Sequence, residues 1–444
     1  MRIRRAIGLS ILAGLAFVAR VSGDLTEYVK KAEPDYSWRI EKTDKLSTGT
    51  VYTIHLVSQT WQGIKWEHKL LVLQPKDVKP ISSMLLLNTG GNPNLGMQMI
   101  ALELTKRIGS PVAVVFGVPN QPLFNGKKED ALIAETFVRF LDGKGQDDSW
   151  PLLFPMVKSV VKAMDALQEF SKQEWNVELK DFVVSGASKR GWTSWLTGAS
   201  DPRVRAIAPM VIDTLNMGPQ MRHQVECFGK PSEMVKDYVE RKLIPMPDTD
   251  EAHRLWSMVD PYFYRDRLTM PKLIINGAND PYWTVDALNL YWDDLKGEKY
   301  VCIVPNAGHD LQEMPEQGRA DPIKARAKSL NAISAFTRMQ IAGKPMPKLT
   351  WENSGATDGR LCLSIQSSAP PKSAQVWIAA SDTRDFRKSR WKAQTVDFDA
   401  DGKLTLCLVA PPTKGFLAYY GEVEYELDGL PWSLSTQVRV VAAP

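Results

Sequence analysis

Between residues 84 and 304 the chain alternates short, unbroken apolar runs with helix-like stretches, and this alternation constrains the fold more than any other feature. The runs fall at 84–87, 111–116, 182–185, 204–212, 272–275 and 300–304, while 156–170 shows helical spacing at Val160, Val161, Met164 and Leu167. Strands that are apolar on both faces and interleaved with helices predict a mostly parallel sheet covered by helices. Such sheets bind ligands beyond the carboxyl ends of their strands. Ahead of them, 51–57 and 68–73 are β-rich runs separated by Gln62-Gly63, which predicts an antiparallel start.

The pattern changes after Gly343-Lys344-Pro345-Met346-Pro347-Lys348, a stretch that ends a helix and resists another. Residues 403–408, 422–427 and 432–440 alternate at period two, with turn clusters such as Asp399-Ala400-Asp401-Gly402 between strands. That predicts a small β-sandwich over 349–444. The α/β body then spans 24–343, with an insertion at about 214–267 that would roof the strand ends as a cap.

The first 23 residues stand apart. Arg2, Arg4 and Arg5 precede an apolar run of 14 residues, 6–19, followed by small residues near Gly23. This is the layout of a secretory signal peptide, and the run is short of the ~20 residues that span a bilayer. The expectation is an exported chain, periplasmic or secreted, with no stable membrane insertion once processed. Charge supports a narrow set of partners. The chain carries 55 basic and 51 acidic residues, and four of the arginines lie in 1–23, leaving 51 against 51. A nucleic-acid binder would show a basic excess; a small-molecule or peptide substrate is expected instead. Oligomeric state is open.

The richest stretch is Asp181-Phe182-Val183-Val184-Ser185-Gly186-Ala187-Ser188-Lys189-Arg190-Gly191-Trp192. A buried strand runs into Gly-x-Ser and then a helix, the layout of a strained nucleophile turn, with Arg190 where a second glycine is usual and Gly191 one later. A serine attacks only when a base takes its proton and a carboxylate orients that base. In a fold of this kind the chain order is Ser, acid, His. His309 follows the run 300–304 and is the base expected here. Asp280, at the end of 272–275 after Gly277, is the preferred acid; Asp213 is the alternative and Asp286 a third option. An oxyanion needs preorganised donors, each worth about 3–4 kcal/mol of barrier. The Lys189 amide and the Asn88-Thr89-Gly90-Gly91-Asn92 loop, with Gly91 foremost, are the candidates.

Lys189 and Arg190 put two cations beside the serine: facing the cleft they would favour an acidic substrate group, facing outward they would be solvated. Arg190 and Trp283 are assigned to the pocket. Of the four cysteines, Cys227, Cys302, Cys362 and Cys407, the last two fall in strand-like segments and could pair, or all could be buried thiols. Their spacings are too wide and too poor in histidine for a structural zinc site; no metal and no cofactor are expected.

Several motifs in order resemble one family. Ser58-Gln59-Thr60-Trp61, Trp66-Glu67-His68, the Gly186–Trp192 stretch, Asp201-Pro202-Arg203-Val204 with Pro209-Met210-Val211-Ile212-Asp213, Asp260-Pro261-Tyr262, Val304-Pro305-Asn306 and Arg384-Asp385-Phe386-Arg387 resemble the PhoPQ-activated pathogenicity-related proteins. The resemblance implies an α/β-hydrolase fold, export and a Ser-Asp-His site, and little about substrate. Asp280-Pro281-Tyr282-Trp283 departs from the family's Asp-Glu-Phe-Phe type, which bears on the pocket wall. The Gly-x-Ser-Lys-x-Gly turn is also similar to that of glucuronoyl esterases, which act on esters of sugar acids. Two functions follow: a serine hydrolase of an ester or peptide bond, or a non-catalytic secreted binding or signalling protein on the same scaffold.

Overall fold

The computed structural model describes residues 24–314, 321–355, 360–396, 398, 403–407 and 413–443; the expected signal peptide lies outside them. Among the described residues, nine strands form one sheet: β1 (Ser37–Leu46), β2 (Gly49–Trp61), β3 (Ile64–Pro75), β4 (Ser83–Asn88), β5 (Val112–Val115), β6 (Asp181–Ala187), β7 (Val204–Met210), β8 (Lys272–Gly277) and β9 (Lys299–Val304). Their order is β1-β2-β3-β5-β4-β6-β7-β8-β9. Pairing is antiparallel from β1 through β3 to β5 and parallel from β5 to β9. This is the doubly wound α/β-hydrolase sheet, with the expected antiparallel start.

Why the runs are unbroken is visible in the packing. In β4 and β5 every residue is buried. Leu86, Val184 and Ile274 point into one core with helices α4 (Leu153–Trp175) and α5 (Lys189–Ser200). Leu85, Leu87, Val183 and Ile275 point into the other, against α2 (Leu95–Ile108) and α10 (Ala327–Ile341). Alternate residues thus serve opposite faces, and both faces are apolar. Helix α1 (Leu25–Lys30) packs on α4, and α3 (Glu129–Asp142) follows β5. Between β7 and β8 lie α6 (Met217–Phe228), α7 (Lys236–Glu240) and α8 (Asp250–Val259); the short α9 (Pro322–Ala325) precedes α10. Among the described residues no helix is long and apolar enough to cross a membrane.

The C-terminal strands form two antiparallel sheets. One joins β10 (Leu349–Gly355), β11 (Leu361–Ser367) and β14 (Lys403–Cys407). The other holds β13 (Lys392–Val396), β12 (Ser373–Ser381), β15 (Phe416–Leu427) and β16 (Leu430–Ser435), with β17 (Arg439–Ala442) on β15. The sheets meet face to face at Gly421, where a Cβ would stand 2.1 Å from Ile365 Cδ1. Cys362 and Cys407 oppose each other across β11 and β14 and are joined by a disulfide, whereas Cys227 and Cys302 are buried thiols. The sandwich is docked on the body: the Ile303 amide donates to Ser435 Oγ at 3.0 Å, and Lys328 pairs with Glu422 at 2.8 Å.

Candidate active site

Ser188 sits at the turn between β6 and α5 with φ +57° and ψ −127°, a backbone region that L residues rarely adopt. The turn is compressed from both sides. A Cβ on Gly186 would lie 2.6 Å from Asn88 Nδ2, and one on Gly191 would lie 2.5 Å from Ile212 Cγ2. The close approach of helix and strand therefore falls at position 191, which frees position 190 to carry a side chain. Serine is a favoured helix cap, yet the Ser188 side chain makes no capping bond. Its neighbour Lys189 opens α5, so the Lys189 amide has no partner within the helix.

His309 and Asp280 meet. His309 Nδ1 lies 2.8 Å from Asp280 Oδ2, and the other carboxyl oxygen accepts the Tyr282 amide at 2.8 Å. Because a carboxylate only accepts, Nδ1 carries a proton, and in the neutral ring Nε2 then presents a lone pair. That Nε2 is buried and has no hydrogen-bond partner. It is not hydrogen-bonded to Ser188 in this state; such contacts often tighten only when substrate binds. Tyr282 connects the two halves. Its ring stacks on His309 with centroids 4.2 Å apart, and it also lines the cavity that holds Ser188.

The loops that carry Asp280 and His309 are pinned from behind by the C-terminal domain. Asn279 Nδ2 donates to the carbonyls of Phe386 at 3.0 Å and Ser389 at 2.7 Å. Asn306 donates to the Trp391 carbonyl at 3.0 Å and accepts its amide at 2.8 Å. Gly277 lets the loops touch, since a Cβ there would fall 2.4 Å from the Gly308 carbonyl. Neither asparagine was singled out from sequence, because the partners lie some 85–110 residues away in another domain.

Asp213, the alternative acid, does not reach the imidazole. It accepts from Tyr291 and, at 2.7 Å, from Asn276, and burial pushes its carboxyl up to about 6. Asp286 bonds a different histidine, His223, at 2.7 Å.

Both cations are buried and paired with acids, which corrects the solvated reading; Lys189 and Asp130 also line the cavity that holds Ser188, and Arg190 lines a second cavity that His309 borders. Arg190 donates twice to Glu129, at 2.6 and 2.7 Å, and once to the Val118 carbonyl at 2.6 Å. Burial would raise the Glu129 carboxyl, but Arg190 outweighs it and holds it down at about 2. Lys189 pairs with Asp130 at 2.9 Å. The guanidinium instead underpins the loop after β4: a Cβ on Gly90 would strike Arg190 Nη2 at 1.9 Å. In that loop the Thr89 amide is spent on the Val115 carbonyl, while those of Gly90 and Gly91 make no backbone hydrogen bond. Gly91 is exposed, at φ +64°.

Ser188 and Trp283 line a cavity of about 40 Å³ with Trp192, Met217, Met221, Ile244, Trp256 and Tyr282. Met217, Met221, Ile244 and Trp256 also border a groove of about 1270 Å³ between α6 and α8. The insertion thus supplies apolar side chains to the wall of the serine's cavity.

A sequence model of the PhoPQ-activated pathogenicity-related proteins matches residues 25–387. The chain belongs to that family. Among relatives of this family member, "Autocrine proliferation repressor protein A" of Dictyostelium discoideum is 33% identical over 454 residues, spanning 94% of this chain and 89% of that protein. Similar solved structures include an acetyl xylan esterase from Paenibacillus sp. R4, at 14% identity and TM-score 0.46, covering 72% of this chain and 92% of that one. Another is an S-formylglutathione hydrolase from Agrobacterium tumefaciens, at 12% identity and TM-score 0.44, covering 68% and 99%. The fold assignment itself rests on the strand order and the turn at Ser188.

Proposed function

We propose that this chain is an exported serine hydrolase that cleaves an ester or peptide bond through an acyl-enzyme. The observation that carries the reading is the His309–Asp280 pair, whose buried Nε2 has no partner within the fold. An orphaned buried acceptor is costly and calls for a functional reason. In the proposed cycle Ser188 Oγ bonds to the substrate carbonyl carbon and passes its proton to His309 Nε2. The oxyanion is held by the Lys189 amide together with Gly90 or Gly91. Collapse breaks the scissile bond, and the imidazolium returns its proton to the departing alcohol or amine. Water repeats the sequence and frees the acid. Asp280 stabilises the imidazolium and fixes its tautomer.

The apolar lining from Trp192 and Met217 outward supports an apolar acyl or side-chain group. With Lys189 and Arg190 already neutralised, nothing in this reading favours an acidic substrate. The Cys362–Cys407 disulfide supports export, as does the leader-like segment 1–23. The experiment is a panel of acyl-nitrophenyl esters of rising chain length alongside dipeptidyl-aminocoumarins. Turnover of either class, lost in Ser188→Ala, supports the reading; no turnover of any member by folded protein counts against it.

The name of the Dictyostelium relative favours a second reading, a secreted regulator that keeps the scaffold without the chemistry. That reading requires Ser188→Ala to retain full biological activity.

A further inference from the structure

His223 and Cys227 stand one turn apart on α6, so their side chains leave the same face of the helix. Asp286 arrives beside them from the loop after β8. His223 Nε2 lies 2.7 Å from Asp286 Oδ1 and 3.5 Å from Cys227 Sγ. The three donor atoms all fall within 4.8 Å of one another, and all three residues are buried. A single ring nitrogen faces both a thiol and a carboxylate. This differs from a nucleophile–base–acid relay, in which thiol and acid occupy opposite ring nitrogens.

We propose that His223, Cys227 and Asp286 form a binding site for a zinc-type divalent cation, with water completing a tetrahedron. Zinc bonds of about 2.3 Å to sulfur and about 2.0–2.1 Å to nitrogen put those two atoms about 3.5 Å apart in a tetrahedral shell. The sulfur–nitrogen pair already has that spacing, and the nitrogen–oxygen pair must open by roughly 0.7 Å. The donor set of thiolate, imidazole and carboxylate suits zinc or cobalt and disfavours magnesium and calcium, which take oxygen ligands. Binding displaces two protons, the thiol proton of Cys227 and the Nε2 proton that faces Asp286 in the metal-free chain.

The surroundings are those of a supported ligand set. Glu226 Oε2 lies 3.3 Å from His223 Nδ1, which directs the ring's proton there and turns Nε2 toward the ion. Arg384 of the C-terminal domain donates to Asp286 Oδ2 at 3.1 Å and leaves Oδ1 for the metal. Thiolate and carboxylate balance the dication, and Glu226 balances Arg384. The bound ion would tie α6, which lines the Ser188 cavity through Met217 and Met221, to the loop that follows Asp280.

The test titrates Co²⁺ into untagged, metal-stripped full-length protein and records its absorption. One equivalent should give visible d–d bands and a near-ultraviolet thiolate-to-cobalt band, both abolished by Zn²⁺ and unaffected by Mg²⁺. Cys227→Ser should remove the thiolate band, while Cys302→Ala should keep it. Glu226→Gln should weaken Zn²⁺ binding about tenfold. If Cys227→Ser fails to fold, Zn²⁺ protection of Cys227 from alkylation in the unaltered chain serves instead. No cobalt band in folded protein, a band that survives Cys227→Ser, or no protection from alkylation overturns the proposal. These readouts do not depend on the hydrolase reading and stand if Ser188 is no nucleophile.

Discussion

Two imidazole–carboxylate pairs lie side by side in this molecule, Asp280 with His309 and Asp286 with His223, and their surroundings differ at every other contact. In the first pair the carboxylate takes Nδ1, the ring lies flat against Tyr282, and Nε2 has no partner. In the second the carboxylate takes Nε2, a thiol crowds the same nitrogen, and Glu226 faces Nδ1. A third histidine, His68, is buried with no acid at all: its Nδ1 donates to the Phe116 carbonyl at 3.0 Å and its Nε2 meets Ser58 at 2.9 Å. A histidine–aspartate contact by itself therefore does not single out a base; on the proposed reading the base is the imidazole whose buried Nε2 is left unspent.

The largest effects should separate the first pair from the others. Ser188→Ala or His309→Ala should lower kcat by about four orders of magnitude or more with the fold retained, and Asp280→Asn by about four. Steady-state kinetics on any substrate found for the chain checks this, and losses below tenfold would dissolve the distinction.

His68 should show itself in stability rather than rate. Burial pushes its pKa from 6.5 down to about 4. The unfolded chain takes up a proton below 6.5 that the folded chain refuses until about 4, so this stability is whole above 6.5 and falls as pH drops. The swing is about 3 kcal/mol. Urea midpoints at pH 7 and 4.5 should differ less in His68→Gln than in the unaltered protein; an equal difference would count against the assignment.

A smaller effect should follow from the pins behind the first pair. Asn279→Ala removes bonds to the Phe386 and Ser389 carbonyls, and the loosened Asp280 loop should cost about tenfold in kcat with KM little changed. The smallest belongs to Asp213→Asn, which should leave kcat/KM within about threefold. A loss matching that of Asp280→Asn would restore Asp213 as the acid.

Much of this could be read in the sequence because it is written locally. Runs such as 84–87 and 182–185 are apolar throughout because their strands are covered on both faces, whichever helices cover them. The turn at Ser188 was legible for the same reason, since its glycines are adjacent. The fate of Lys189 and Arg190 was not. Their partners Glu129 and Asp130 lie about 60 residues upstream at the start of α3, and only the sheet order brings them together. The same holds for Asn279 and Asn306, which reach into the C-terminal domain. Sequence reasoning about metals weighed the cysteines against one another, whereas Cys227 gathers with a histidine four residues back and an aspartate on a different strand's loop.

The account's central claim is most directly tested by intact-mass analysis of the folded protein after exposure to a fluorophosphonate. It predicts one phosphonyl adduct, mapped to Ser188, absent in Ser188→Ala and formed far more slowly in His309→Ala. An unmodified chain, or an adduct that persists when Ser188 is replaced, would contradict it.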